Sequence, residues 1–256
     1  MSKISDFLIM TVKSAADLIT DEFEIKAKGN SSTGDLVTSF DYEVERFLID
    51  RIEKEYPGYS IISEEFNTDK KLTDNCFTID PIDGTVNFAH GNPLWGIQVC
   101  AVESGKPCAS VIYLPRLNEF YHANEIGSFL NGNPIHVNDC TPEKGLYVCA
   151  TDQTVDDSHH LIRTVSQAKM QQINPGIRDY NCASISYAWV ACGRLSGAVI
   201  LKDSLWDYMP GEYLIQQAGG YIYDEPGAHI GANTPEFLEA MKQYGTYRGE
   251  RLVIRP

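Results

Sequence analysis

The chain has 256 residues, 43% of them hydrophobic, enough apolar mass to bury a sizeable core. Its 35 acidic residues outnumber 21 basic ones for a formal charge of −14, which argues against a nucleic-acid-binding surface. Seven scattered cysteines without a CxxC pair argue against a disulfide framework or a thiolate metal site and fit a reducing cytosol.

The N-terminal apolar core is only "FLIM", residues 7–10, too short for a secretory signal. No later stretch is long enough to span a bilayer, so a cytoplasmic chain with no membrane partner is expected. Apolar positions recur at helical spacing over 4–20 and again over 41–56, through Val44, Phe47, Leu48 and Ile52. Pro57-Gly58 stops the second helix. "YSIISEE" then reads as a strand whose end carries Glu64 and Glu65, and "LTDNCFTID" leads to another ending at Asp80. The runs "GIQVCAVE", "CASVIYL" and "EFYHAN", separated by "SGKP" and "PRLN", predict an antiparallel meander, to which "FLNGNPIHV" adds one more turn and strand.

Beyond Leu146 helices and strands alternate, as layered α/β folds require. "LYVCATD" reads as a strand, residues 155–170 as a helix, and 182–192 as an apolar helix ending at Gly193. "GAVILK" is a strand, "WDYMPGEYLIQQAGG" a helix closed by Gly219-Gly220, and "YIYDE" another strand. The expectation is one compact domain over 1–256, with an α+β half of about 1–140 and an α/β half of about 141–256.

Three of these segments carry carboxylates: Glu64 in "IISEE", Asp80 and Asp83 in "TIDPIDGTVNF", and Asp207 in "LWDYMPG". Hard divalent cations take oxygen ligands, and Mg²⁺ is held by a few carboxylates plus phosphate oxygens. If the first two strands are neighbours, Glu64 and Asp80 emerge on one sheet edge. Pro81 stiffens the bend and Asp83-Gly84 permits a tight turn, so both aspartates can aim to one side. Thr85 is placed to begin a short helix, whose free N–H groups suit an anion. Four carboxylates repel a phosphate, whereas two Mg²⁺ cancel them and a phosphate dianion leaves room for a third. Taken singly each segment has an ordinary reading: "DPIDG" as a capped surface turn, Asp207 as a helix cap. Their joint appearance in this order favours the metal reading.

With these motifs the sequence resembles the inositol monophosphatase family, among the Mg²⁺-dependent, lithium-sensitive phosphatases. "DPIDGTVNF" is similar to the family's central signature and "WDYMPGEYLIQQAGG" to its C-terminal one, while "GDLVTSFD", "YSIISEE", "FLNGNPI" and "RDYNCASISYAWVACGRLSGA" fit other family stretches. The resemblance implies an α-β-α-β-α sugar-phosphatase fold, usually a homodimer, acting on a small-molecule phosphate ester with two or three Mg²⁺. It implies that Glu64, Asp80 and the Ile82 carbonyl hold the metal that binds the nucleophilic water. Asp80, Asp83 and Asp207 then hold the second metal, at the leaving-group oxygen. Thr85 would hydrogen-bond the attacking water, oriented by Asp41, and the Gly84 and Thr85 amides would receive the phosphate.

Departures from the family pattern bear on the substrate. An acidic residue that often stands seven positions before the WD aspartate is here Ile200, and the usual Gly-Ser/Thr-Ala is Asn181-Cys182-Ala183. "WDYMPG" replaces "WDxAAG", with Pro210 expected in the first helical turn. A pocket lined by Asn181, Ala183 and Ile200 leaves several esters open: inositol phosphate, fructose 1,6-bisphosphate, histidinol phosphate or a 3'-phosphorylated nucleotide. Tyr180, Trp189 and Lys202 are candidates for a nucleotide pocket. A non-catalytic metal-binding regulator is the reading from another class; Thr85 and Asp41, unneeded merely to hold metal, weigh against it. Arg178, Asp179 and Tyr180 form a solvated loop or a substrate contact. Lys26 and Lys28 either steer phosphate or simply belong to a polar loop. Adjacent His159-His160 do not converge on a helix and so do not read as metal ligands.

Overall fold

The structure is a computed structural model and describes residues 3–20, 22–27, 36–150, 168, 171 and 176–245. The expected helix over 155–170, with His159-His160, falls almost entirely outside them, as does Lys28.

Five layers stack in the α-β-α-β-α order. Helices α1 (Lys3–Ala16) and α2 (Ser39–Glu55) form the first, with a small antiparallel pair, β1 (Ile25–Ala27) and β2 (Leu36–Thr38), between them in the chain. Ile4, Phe7, Leu8, Val12 and Ala15 of α1 and Val44, Leu48 and Ile52 of α2 lie at helical spacing and are buried. They pack on the outer face of a seven-stranded sheet against Phe77, Ile79, Ile97 and Val99. Helix α1 ends at Ala16, four residues short of the sequence expectation, in a turn at Asp17-Leu18.

That sheet runs in sequence order: β3 (Ser60–Ser63), β4 (Cys76–Asp83), β5 (Gly96–Glu103), β6 (Lys106–Leu114), β7 (Glu119–Asn124), β8 (Gly127–Leu130) and β9 (Asn133–Ile135). Only β3 and β4 are parallel; the rest is the expected meander. A single helical turn, α3 (Thr85–Ala89), follows β4.

The middle layer holds α4 (Ala183–Ala191) and α5 (Leu205–Gln217), buried nearly all round because sheets cover them on both sides. They cross closely at Gly211, where any Cβ would collide with the Tyr187 ring. Pro210 is the sixth residue of α5 and not in its first turn as expected, so it removes the N–H that would have bonded the Trp206 carbonyl.

The second sheet has the order β11-β10-β12-β14-β13, from β10 (Tyr147–Ala150), β11 (Ile177–Arg178), β12 (Gly197–Ile200), β13 (Tyr221–Glu225) and β14 (Ala228–Ala232). Helix α6 (Pro235–Gly245) closes the far side, burying Phe237 and Met241 against Val199, Ile230 and Ala232. Sequence reasoning did not place β14 or α6.

Candidate active site

Strands β3 and β4 pair with Ser63 opposite Ile79, so the next residues, Glu64 just past the end of β3 and Asp80 within β4, stand side by side. The Glu64 N–H donates to the Ile79 carbonyl at 3.3 Å. Contrary to expectation, β4 does not end at Asp80. It slips there: Asp80 pairs with Gln98 but Asp83 pairs with Gly96, three steps on β4 against two on β5. Side chains alternate along a regular strand, so residues three apart point to opposite faces. The extra residue cancels that alternation and turns Asp83 back to the side of Asp80. Pro81, which has no N–H to lose, sits in the slip.

Asp207 is the third residue of α5, behind Ser204 as N-cap; its N–H, not its carboxylate, bonds Ser204 at 2.9 Å. The carboxylate is thus spared from capping and reaches Asp80 and Asp83, with donor oxygens of the three all within 4.8 Å. Asp83 is held by the start of α4: the Ala183 N–H donates to Oδ1 at 3.1 Å, the Ser184 N–H to Oδ2 at 2.6 Å and the Cys182 thiol to Oδ2 at 2.9 Å. A carboxylate at a helix N-terminus gains from both the free amides and the dipole.

The electrostatics call for a cation. Burial raises the Asp80 pKa well above the usual carboxylate range, and the charges of Glu64, Asp83 and Asp207 push the same way. Asp80 Oδ1 is buried with no hydrogen-bond partner among the described residues. Burial likewise pushes Asp207 up to about 6, against the pull of Lys202, whose ammonium lies 2.9 Å from Asp207 Oδ2. Beside the triad, Thr85 Oγ1 has two acceptors in reach, Ile82 O at 2.9 Å and Asp41 Oδ1 at 3.2 Å. Asp41 is itself fixed at the start of α2, where its Oδ2 accepts from the Thr38 N–H at 2.7 Å and the Thr38 hydroxyl at 2.6 Å. Gly84, at φ +84°, makes the bend between Asp83 and Thr85; a Cβ there would stand 3.1 Å from the Leu94 carbonyl.

A profile of the inositol monophosphatase family matches residues 1–245. The chain belongs to the inositol monophosphatase family. Over 242 residues it is 31% identical to the fructose-1,6-bisphosphatase/inositol-1-monophosphatase of Thermotoga maritima, covering 91% of this chain and 89% of the relative. Nus factor SuhB of Escherichia coli is 28% identical over 257 residues, covering 94% and 95%. Among solved structures, an IMPase of Thermotoga maritima superimposes with a TM-score of 0.79 at 28% identity, covering 95% of this chain and 97% of that one. The extragenic suppressor protein suhB of Bartonella henselae reaches 0.82 at 23% identity, covering 96% and 99%, a likeness of fold. As a family member the chain is a phosphoric monoester hydrolase. The family is metal-dependent, and a buried, all-oxygen donor set with an unpartnered Asp80 oxygen fits a hard divalent ion. None of the helices among the described residues is long and apolar enough to cross a membrane.

The expected substrate contacts are placed less uniformly. Asn181 is exposed in a left-handed conformation, φ +49°, directly ahead of α4. The Ala183 amide is engaged by Asp83. Ile200 is only 3% exposed and packs in the core between the sheets. Sequence reasoning missed the Cys182 and Ser184 contacts with Asp83 and the Thr38 contact with Asp41. It named Lys202 only for a nucleotide pocket and not as Asp207's partner. A lysine five residues before the WD aspartate is the signal that was there to read.

Proposed function

We propose that this protein is a Mg²⁺-dependent phosphatase for small polyol or sugar phosphate monoesters, with water attacking phosphorus directly and no covalent intermediate. The convergence of Asp80, Asp83 and Asp207 around an unpartnered, buried Asp80 oxygen carries this reading. Glu64, Asp80 and the Ile82 carbonyl would hold one ion and Asp80, Asp83 and Asp207 a second, with a third accompanying the phosphate. When bound, magnesium offsets the carboxylate charge, polarises the phosphate and activates water. The remaining work falls to the chain's own groups. A Thr85 hydroxyl that donates to Asp41 Oδ1 keeps its lone pairs for the attacking water and so orients it. The Gly84 and Thr85 amides receive the phosphate, and Asn181, exposed beside them, suits a contact with the alcohol portion better than buried Ile200 does. Cys182 is no competing nucleophile: burial and the Asp83 charge hold its thiol well above the ordinary value. On family grounds the active assembly is a homodimer, which light scattering of the purified protein tests.

The Thermotoga relative's name joins fructose 1,6-bisphosphate and inositol 1-phosphate chemistry in one protein. A phosphate-release screen over those two esters, histidinol phosphate and a 3'-phosphorylated nucleotide, with Mg²⁺ or with EDTA, is the deciding experiment. Turnover that needs Mg²⁺ and leaves no phosphorylated side chain is expected; undiminished turnover in excess EDTA would sink the reading. The likeness to Nus factor SuhB favours a second, regulatory reading, for which the same screen would return no turnover on any ester.

A further inference from the structure

Helix α5 carries Asp207 on one face and a different set of donors on the other. Tyr208 and Glu212, four residues apart, lie on the side of the second sheet, where Asp224 of β13 and His229 of β14 are register partners. His229 Nδ1 lies 2.6 Å from Asp224 Oδ1 and 3.8 Å from Glu212 Oε1. One donor atom from each of the three falls within 4.8 Å of the others. The phosphatase reading uses none of them.

Three observations separate this cluster from an ordinary ion pair. Glu212 is only 9% exposed, and its Oε1 finds no hydrogen bond among the described residues although it faces the imidazole. A buried carboxylate oxygen without a partner is costly. Next, the other ring nitrogen is already committed. His229 Nε2 lies 3.1 Å from Asp203 Oδ1, and that same oxygen is fixed by the Gly227 N–H at 2.6 Å. An ionised carboxylate only accepts, so the Asp203 contact asks for a proton on Nε2, and the 2.6 Å Asp224 contact asks for a positive group on Nδ1, either a second proton or a cation in its place. A carboxylate that holds the far N–H of an imidazole is the arrangement that orients metal-ligating histidines. Finally, the ring cannot swing away: Tyr208 stacks on it at 3.6 Å and 9°.

We propose that Glu212, Asp224 and His229 form a second cation site, independent of the phosphatase carboxylates, that takes a divalent ion of the zinc class. The donor set is one imidazole nitrogen and two carboxylate oxygens, which suits zinc, whereas the Asp80 triad offers oxygen alone and suits magnesium. Asp224 is half exposed and gives the ion its entry path, while Glu212 closes the inner end. Bound there, the ion ties α5 to the β13–β14 hairpin, and a water completes its coordination.

The test uses full-length protein stripped with a chelator, returned to excess Mg²⁺ to fill the oxygen site, and titrated with Zn²⁺. Bound zinc is counted after gel filtration, and histidine ring nitrogens are followed by ¹⁵N NMR, with His229→Asn assigning the signal. One zinc per chain is expected in the wild type and in Asp80→Asn, with His229 keeping its Nε2 proton while Nδ1 shifts. Glu212→Gln is expected to weaken zinc retention at least about tenfold, the loss of one charged ligand. Retention unchanged in folded Glu212→Gln overturns the proposal, and so does zinc lost in Asp80→Asn. A His229 ring that stays protonated on both nitrogens in the presence of zinc also overturns it, because the cluster is then a hydrogen-bonded imidazolium. Should Glu212→Gln fail to fold, the wild-type ring signal alone decides.

Discussion

The two faces of α5 put the same kind of residue to different use. Toward the first sheet, Asp207 meets two aspartates from one slipped strand, all buried and all oxygen. Toward the second sheet, Glu212 meets a histidine and a half-exposed aspartate from a hairpin. Five residues separate Asp207 from Glu212, which at 100° per residue turns the side chains roughly 140° apart. What distinguishes the faces is how the neighbouring charge is arranged. The first gathers carboxylates with Lys202 as the nearby cation; the second holds an imidazole between carboxylates on both ring nitrogens.

Breaking the first face should cost most. Asp80→Asn removes the oxygen proposed to touch both ions, and a loss of roughly 10²–10⁴ in kcat at saturating Mg²⁺ is expected. Near-wild-type rates with an unchanged Mg²⁺ requirement would show that the ligands are misassigned. Thr85→Ala leaves every carboxylate in place, so kcat should fall about 10²-fold while the Mg²⁺ midpoint hardly moves. A midpoint that shifts with the rate would make Thr85 part of the ion's support.

Stability against pH probes the second face. Glu212's folded pKa of about 9 stands above its ordinary 4.5, so between those values the folded chain keeps a proton that the unfolded chain has released. Stability of the metal-free protein should therefore fall as pH rises through that window, and Glu212→Gln should flatten the decline. Melting temperatures of both proteins in EDTA across the window check this; parallel curves would assign the decline to other groups. The smallest effect should come from Lys202→Met. Its ammonium sits on Asp207 Oδ2 and competes with any ion for that oxygen, so the variant should reach half-maximal activity at about a few-fold lower Mg²⁺. A higher requirement would mean that Lys202 serves the phosphate rather than opposing the metal.

Legibility in the sequence follows the same divide. The first face was readable because Asp80, Pro81, Asp83 and Gly84 fall within one five-residue run and the turn chemistry is local. Even there the strand slip was not, because a bulge is defined by the partner strand and leaves no mark of its own on β4. The second face draws on residues 203, 212, 224 and 229, which have no common spacing and meet only through the β13–β14 register. Strand β14, "AHIGA", has a single β-branched residue and so little intrinsic preference to read. Helix α6 was a different kind of miss: Thr234 before Pro235, then an amphipathic "EFLEAMK", is a start signal in the sequence, and the Phe237 N–H does bond Thr234 Oγ1 at 3.1 Å. The burial of Ile200 was not legible, since it depends on which face of β12 meets the middle helices.

That one helix bears both Asp207 and Glu212 has a thermodynamic corollary. Helix α5 seats against α4 at Gly211 and Tyr187, whose hydroxyl donates to the His229 carbonyl at 2.9 Å, so it lies in contact with groups from both sheets. Linkage then requires symmetry: if zinc behind the helix alters magnesium affinity in front by some factor, magnesium alters zinc affinity by the same factor.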